Sequence, residues 1–334
     1  MHKRSLTALI FSALTLAAAT AWTQQPPAGP AGPAGPGGPG GPGGPGGGTP
    51  HSIDTHGVTQ KWLDVAYASG SPTQKLDIYL PNEGKGPFPV IVAIHGGGFE
   101  GGDKNTGEVN AEMDGLARGY AVVSVNYRLA KEAVFPAAVL DVKAAIRFLR
   151  ANAKKYNLDP SRVVAWGDSA GANIAAMIGT TAGVKELEDL SMGNANQPSD
   201  VKVVVDFFGP TDFADMDAAY DRAGVTQHMK HSGADSSESH YVGFQVTADP
   251  DRARKADPET YVSAKTPPFF IENGDKDPVV PPSSHVAFAA KLEAAIGKDK
   301  VVHIVLEGSG HGGPAFQTKE NLDKVFAFID KYLK

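Results

Sequence analysis

A chain of 334 residues is long enough for one large α/β domain with a substantial core. Its 41% hydrophobic and 20% charged content are those of an ordinary globular protein, and a formal net charge of −6 without a long basic run argues against nucleic acid or an anionic membrane surface as a partner. The absence of cysteine excludes disulfides, thiolate metal sites, a cysteine nucleophile and a lipid-modified N-terminal cysteine.

Residues 1–21 read as a secretory signal. His2, Lys3 and Arg4 supply the positive end, Leu6 to Ala19 the apolar core, and Ala17-Ala18-Ala19 or Ala19-Thr20-Ala21 a cleavage site. The apolar run is too short and too rich in alanine and threonine for a strong membrane span. The expected product is exported, periplasmic or extracellular, with no stable membrane insertion after cleavage. Residues 22–51 read as a Gly/Pro-rich spacer, in which Gly29 to Gly46 repeats Gly-Pro-X with a period of three. Only six triplets are present, and glycine often fills the third position as well, so a disordered, partly polyproline-II spacer is expected in preference to a collagen stalk.

The folded domain is expected from residue 52 to 334. Lys61 to Tyr67 and Lys75 to Leu80 read as two antiparallel strands joined by a turn-rich segment. Pro89 to His95 is an apolar, β-branched run suited to a strand buried on both faces, and a glycine-rich loop follows it. Val109 to Arg118 reads as a helix closed by Gly119, and Tyr120 to Asn126 as another buried strand. In the helix predicted from Ala137 to Tyr156, Val142, Ala145, Ile146 and Leu149 share one face, with Lys143, Arg147, Arg150 and Lys154 between them on the polar side. Strands at 162–166, 201–208, 269–272 and 300–306 alternate with helices at 172–180, 284–296 and 317–333. That rhythm predicts a mostly parallel eight-stranded sheet with helices on both faces. Two segments break it: a polar excursion at 183–198, and a longer one at 211–266 expected to form a small cap over the carboxyl edge.

Chemistry concentrates at that edge. Arg162 to Thr180 reads as strand, then Gly167-Asp168-Ser169-Ala170-Gly171, then a small-residue helix. This is the setting in which a strained turn lifts a serine hydroxyl above a sheet, with a helix N-terminus below it. A serine needs a base to take its proton, and the base needs an anion to fix its tautomer. Asp275 and Asp277 follow the 269–272 strand and either could be that anion. His311, in Gly310-His311-Gly312 after the last strand, is the candidate base. The order Ser, Asp, His is that of the α/β-hydrolase fold. Consecutive glycines in His95-Gly96-Gly97-Gly98-Phe99 let backbone amides converge, so Gly97, Gly98 and Ala170 are the candidate oxyanion donors. A phosphate-binding loop is disfavoured, because no G-K-[ST] ending and no helix follow the glycines directly. No HExxH or comparable spacing points to a metal. His228, His231 and His240 read as a polar, exposed loop.

Taken together, HGGGF at 95–99, NYRL at 126–129, GDSAG at 167–171, GDKDPVVP at 274–281 and GHG at 310–312 resemble the bacterial α/β-hydrolase esterases of the hormone-sensitive-lipase-like and feruloyl/acetyl-esterase group. The resemblance runs from about Lys61 to the end. It implies a cofactor-free carboxylic ester hydrolase acting on small-molecule or polymer-linked esters with short-chain or aromatic acyl groups. It also implies Ser169, Asp277 and His311 as the triad, with Asp277 preferred to Asp275, and Gly97, Gly98 and Ala170 as the oxyanion hole. Tyr127 and Arg128 carry over as structural residues. A serine peptidase or amidase, a polyester-active hydrolase and a non-catalytic secreted binding protein are the competing readings. Oligomeric state is left open.

Overall fold

The computed structural model describes residues 52–334, so the signal and spacer readings lie outside the described residues. The eight expected strands are all present: β1 (Lys61–Ala66), β2 (Lys75–Tyr79), β3 (Phe88–Ile94), β4 (Ala121–Val125), β5 (Leu158–Asp168), β6 (Val203–Phe207), β7 (Phe269–Gly274) and β8 (Val301–Leu306). They form one sheet in the order β1-β2-β4-β3-β5-β6-β7-β8. The β1–β2 and β2–β4 pairings are antiparallel and the other five are parallel. This is the α/β-hydrolase architecture that the alternation of elements predicts.

The helices are α1 (Asn110–Met113), α2 (Ala137–Ala151), α3 (Ala170–Thr180), α4 (Met216–Arg222), α5 (Ser237–Val242), α6 (Pro250–Ala253), α7 (Pro282–Ile296) and α8 (Lys319–Leu333). Because side chains alternate along a strand, Val90, Val92 and Ile94 of β3 join the core under α2, α3 and α7. Ile91, Val164 and Trp166 point the other way, into the core under α8. Strands covered on both faces must be apolar throughout, and every residue of β3, β4 and β6 is buried.

Two expectations need correction. The segment 109–118 is not one helix but a 3-10 turn, the four-residue α1, and a second 3-10 turn closed by Gly119 at φ 85°. Gly115 lies against the sheet so closely that a Cβ there would meet Ile91 Cδ1 at 2.7 Å, and packing overrides the helical period. Lys143 and Arg147 are also not on a solvated face. Both are buried, because the polar excursion folds over them: Glu188 Oε1 is 3.2 Å from Lys143 Nζ and Glu188 Oε2 2.7 Å from Arg147. The carbonyl of Asp189 accepts a further bond from Arg147 at 2.6 Å. Burial still lowers the Lys143 ammonium below its ordinary pKa, with Glu188 opposing the fall.

The 211–266 segment, which gave almost no periodic signal, holds α4, α5, α6 and two 3-10 turns. Ser236 caps α5 by accepting from the Ser239 amide, and Asp249 caps α6 by accepting from the Arg252 amide ahead of Pro250. Among the described residues no helix is long and apolar enough to cross a membrane.

Candidate active site

The carboxyl end of β5 turns sharply into α3 at Ser169, whose φ of 53° and ψ of −120° lie outside the usual regions for a side-chain-bearing residue. The flanking glycines make this possible. A Cβ on Gly167 would meet the Gly171 carbonyl oxygen at 2.3 Å, and one on Gly171 the Ile94 carbonyl oxygen at 2.0 Å. The turn is held by the Ser169 amide donating to Phe207 O of β6 at 2.9 Å, and by the Ala172 and Asn173 amides donating to Ser169 O.

Two other loops bring their side chains to the Ser169 hydroxyl. Asp277 lies just past β7 and His311 just past β8. His311 Nε2 is 2.8 Å from Ser169 Oγ, and its Nδ1 is 2.8 Å from Asp277 Oδ2. The other Asp277 oxygen accepts from the Val279 and Val280 amides at 2.7 and 3.0 Å, which fixes the carboxylate in the buried loop. The two loops are clamped together, since the Lys276 amide donates to Ser309 O at 2.9 Å. A Cβ on Gly274 would strike that same carbonyl at 2.2 Å. Asp275 points elsewhere: its Oδ1 accepts from the Gly308 amide at 2.6 Å and holds the β8 turn. The geometry therefore brings Asp277, not Asp275, to His311.

The glycine loop after β3 forms the opposite wall. Gly97 and Gly98 take φ of 100° and 59°, open to glycine at no steric cost, and line the same cleft as Ser169 and Ala170. Among the described residues the amides of Gly97, Gly98 and Ala170 have no backbone acceptor. The loop is pinned from behind by Tyr127, whose hydroxyl donates to His95 O at 2.9 Å while its ring stacks on the His95 imidazole. Burial pushes the His95 imidazole below its ordinary pKa. Arg128 meets Asp141 of α2 in a bidentate pair, with contacts from 2.8 Å, anchoring the next segment.

Part of the 211–266 insertion rests on this loop. Phe99 stacks on Tyr241 of α5 with centroids 3.9 Å apart. Ser237 donates to Glu100 Oε2 at 3.0 Å, and His240 Nδ1 lies 2.8 Å from Glu100 Oε1. Ser237 and Glu238 thereby line the cleft, whose volume is about 520 Å³. Glu108, Phe208, Met229, Glu238 and Gln317 also line it and carried no motif in the sequence. The three histidines taken as one exposed loop part company: His240 is exposed, whereas His231 is buried with Nδ1 3.0 Å from Glu238 Oε2. The cap signal Ser236-x-x-Ser239, which starts α5, was the one local clue to this wall.

Carboxyl groups crowd the underside of the site. Burial pushes Asp168 well above the usual carboxylate range, with Glu108, Asp206 and Glu272 adding to the rise. Burial likewise raises Glu108, while the Gly96 amide and His311 pull it back. Asp168 neither touches His311 nor replaces Asp277 in the hydrogen bonds described above.

The BD-FAE family profile matches residues 76–292, a stretch that holds the glycine loop, Ser169 and Asp277 and stops short of His311. Esterase LipC of Mycobacterium tuberculosis is 29% identical over 72% of this chain. The chain spans little more than half of that relative's length, 57%. A solved carbohydrate esterase from gut microbiota, in truncated form, superposes with a TM-score of 0.75 at 31% identity, covering 84% of this chain and 99% of its own. A bifunctional GH43-CE protein of Bacteroides eggerthii superposes at 0.74 with 33% identity, over 82% of this chain and 35% of its own. With the profile spanning most of the sheet, the elbow and the acid loop, the chain belongs to the BD-FAE family of the α/β-hydrolase fold.

Proposed function

We propose that the protein is a serine carboxylic ester hydrolase. The observation that carries this reading is the continuous contact Ser169 Oγ, His311 Nε2 and Nδ1, Asp277 Oδ2, with 2.8 Å at each step. In the proposed mechanism Asp277 holds the imidazole with its Nδ1 proton inward, leaving Nε2 free to accept the Ser169 proton. The serine oxygen attacks the ester carbonyl, and the negative charge on the carbonyl oxygen develops against the amides of Gly97, Gly98 and Ala170. His311 then protonates the leaving alcohol. Water enters, gives a proton to His311 and cleaves the acyl-enzyme, restoring the serine.

The esterase names of the relatives support this chemistry. The carbohydrate esterase among the similar structures supports an ester borne on a carbohydrate hydroxyl, and the motif resemblance supports a short-chain or aromatic acyl group. We further read residues 1–21 as directing export to the periplasm or beyond, on the strength of the cationic start and short apolar run.

Hydrolysis of p-nitrophenyl esters from acetyl to palmitoyl by the chain beginning at residue 22, beside Ser169→Ala, tests the reading. Turnover by the wild type with a loss of at least about a thousandfold in the variant is expected. A folded wild type that hydrolyses no ester in the series overturns it.

A further inference from the structure

The charges around the cleft are one-sided. Among the described residues Glu108, Asp168 and Glu238 line it, neither lysine nor arginine does, and His311 is the one basic group there. Burial holds Asp168 well above the usual carboxylate range and raises Glu108 in the same direction. Glu238 differs in its setting, because it has a built support. Its Oε2 lies 3.0 Å from Nδ1 of the buried His231, in ion-pair range though misaligned for a hydrogen bond. The His231 amide is in turn tied to Asp217 Oδ1 at 3.1 Å. The helix that carries Glu238 is fixed against the glycine loop through Ser237 and Glu100, and a Cβ on Gly98 would sit 3.1 Å from Ser237 Oγ. A carboxylate in a largely buried wall costs stability that an apolar residue would not. Here the residue lines the cleft in which the proposed reaction would place its substrate.

We propose that Glu238, held by His231, is a specificity-determining residue: the cleft takes neutral and cationic esters and rejects esters with a negative charge near the scissile bond. The proposal rests on the esterase reading above and goes beyond it by naming a charge preference and the residue that sets it. The physical basis is Coulombic. In a partly desolvated cleft a fixed carboxylate acts on a substrate charge with little screening, and among the described residues no lysine or arginine lines the cleft to offset it.

The test is a series of aryl acetates with one para substituent varied: trimethylammonium, carboxamide and carboxylate. Each kcat/KM is divided by the ester's own rate with hydroxide, which removes the leaving-group difference. For the wild type we expect the order cation, neutral, anion, with the extremes about a hundredfold apart at low salt and closer together at high salt. In Glu238→Gln the cation-to-anion ratio falls about tenfold, and in Glu238→Asp, which keeps the charge, the order of the three substrates is retained. A wild-type ratio within about twofold of unity at low salt overturns the proposal, and so does a ratio that Glu238→Gln leaves unmoved. If the glutamine variant does not fold, the wild-type ratio and its salt dependence decide. A folded wild type that fails even on the neutral carboxamide ester is a different result, and it removes the esterase reading itself.

Discussion

From Gly167 to Thr180 the chain is largely buried and sterically pinned, whereas from 211 to 266 it is assembled from short helices, two of them capped by a side chain. In the first region α3 is buried along its whole length, and two glycines sit where any Cβ would enter a neighbouring carbonyl. In the second, α4, α5 and α6 have seven, six and four residues, much of their surface faces solvent, and Gly224 has nothing within 4 Å of where its Cβ would be. The two meet across one cleft and are linked by Asn173 of α3, whose amide donates to Pro210 O and Ala256 O. The difference separates two demands on one site. The reacting atoms need a backbone that cannot relax, and the substrate-facing wall needs only enough support to hold a few side chains.

The comparison can be broken most forcefully at the proposed triad. Asp277→Asn should lower kcat by about ten-thousandfold with the fold intact, because the amide no longer selects the imidazole tautomer that leaves Nε2 free. Steady-state kinetics beside circular dichroism would read both. Next in size is Gly171→Ala. Its Cβ meets a main-chain oxygen that cannot move aside, so a loss of about 3 kcal/mol or more in urea unfolding is expected, with little soluble protein recovered.

A third test uses pH, with two signs that oppose each other. His285 of α7 is fully buried, and burial lowers its pKa to about 4 from an ordinary 6.5. Below pH 6.5 the unfolded chain takes up a proton that the fold refuses, so this group withdraws stability as pH falls from 6.5 towards 4. Glu272 is raised to about 7 from 4.5 by burial, with Asn321 opposing; its contribution is fully present below pH 4.5 and lost as pH rises towards 7. Unfolding free energies of Glu272→Gln measured against wild type should therefore move in the variant's favour between pH 4.5 and 7. A His285→Gln variant should flatten the loss on the acid side.

The smallest effects sharpen the contrast. Gly224→Ala, at φ +70° in open space, should cost about 1 kcal/mol, well below its counterpart in the elbow. Asp275→Asn should cost about 1 kcal/mol through the Gly308 amide and leave kcat within about twofold.

These regions also explain what could be read from the chain alone. The strands were legible because burial on both faces leaves unbroken apolar runs such as Pro89 to Ile94. The elbow was legible because its glycines are sterically obligatory. The choice of Asp277 over Asp275 was not readable from position, since both follow β7. It depends on which carboxylate the Val279 and Val280 amides hold and which one the Gly308 amide draws away. Glu238 and His231 were out of reach for a further reason: His231 lies in the irregular stretch before α5 and Glu238 on α5, so no helical or strand period sets one against the other. The buried Lys143 and Arg147 misled the helical pattern because Glu188, a distant residue, supplies their counter-charge. Caps at Ser236 and Asp249 were written in the sequence, but a cap announces a helix and not where that helix docks.

The place of β8 in the sheet has a consequence for durability. It is one of the two edge strands, bonded among the described residues to β7 alone and only partly covered, with Val305 47% exposed. The proposed nucleophile grows from a central strand, while its partner histidine hangs from this rim. Outer strands fray at lower cost than the global unfolding of a domain. On warming, activity should therefore fall while the bulk of the sheet is still intact, through a reversible detachment of one edge. A staple between β7 and β8 would lengthen operating life far more than it raised the melting temperature.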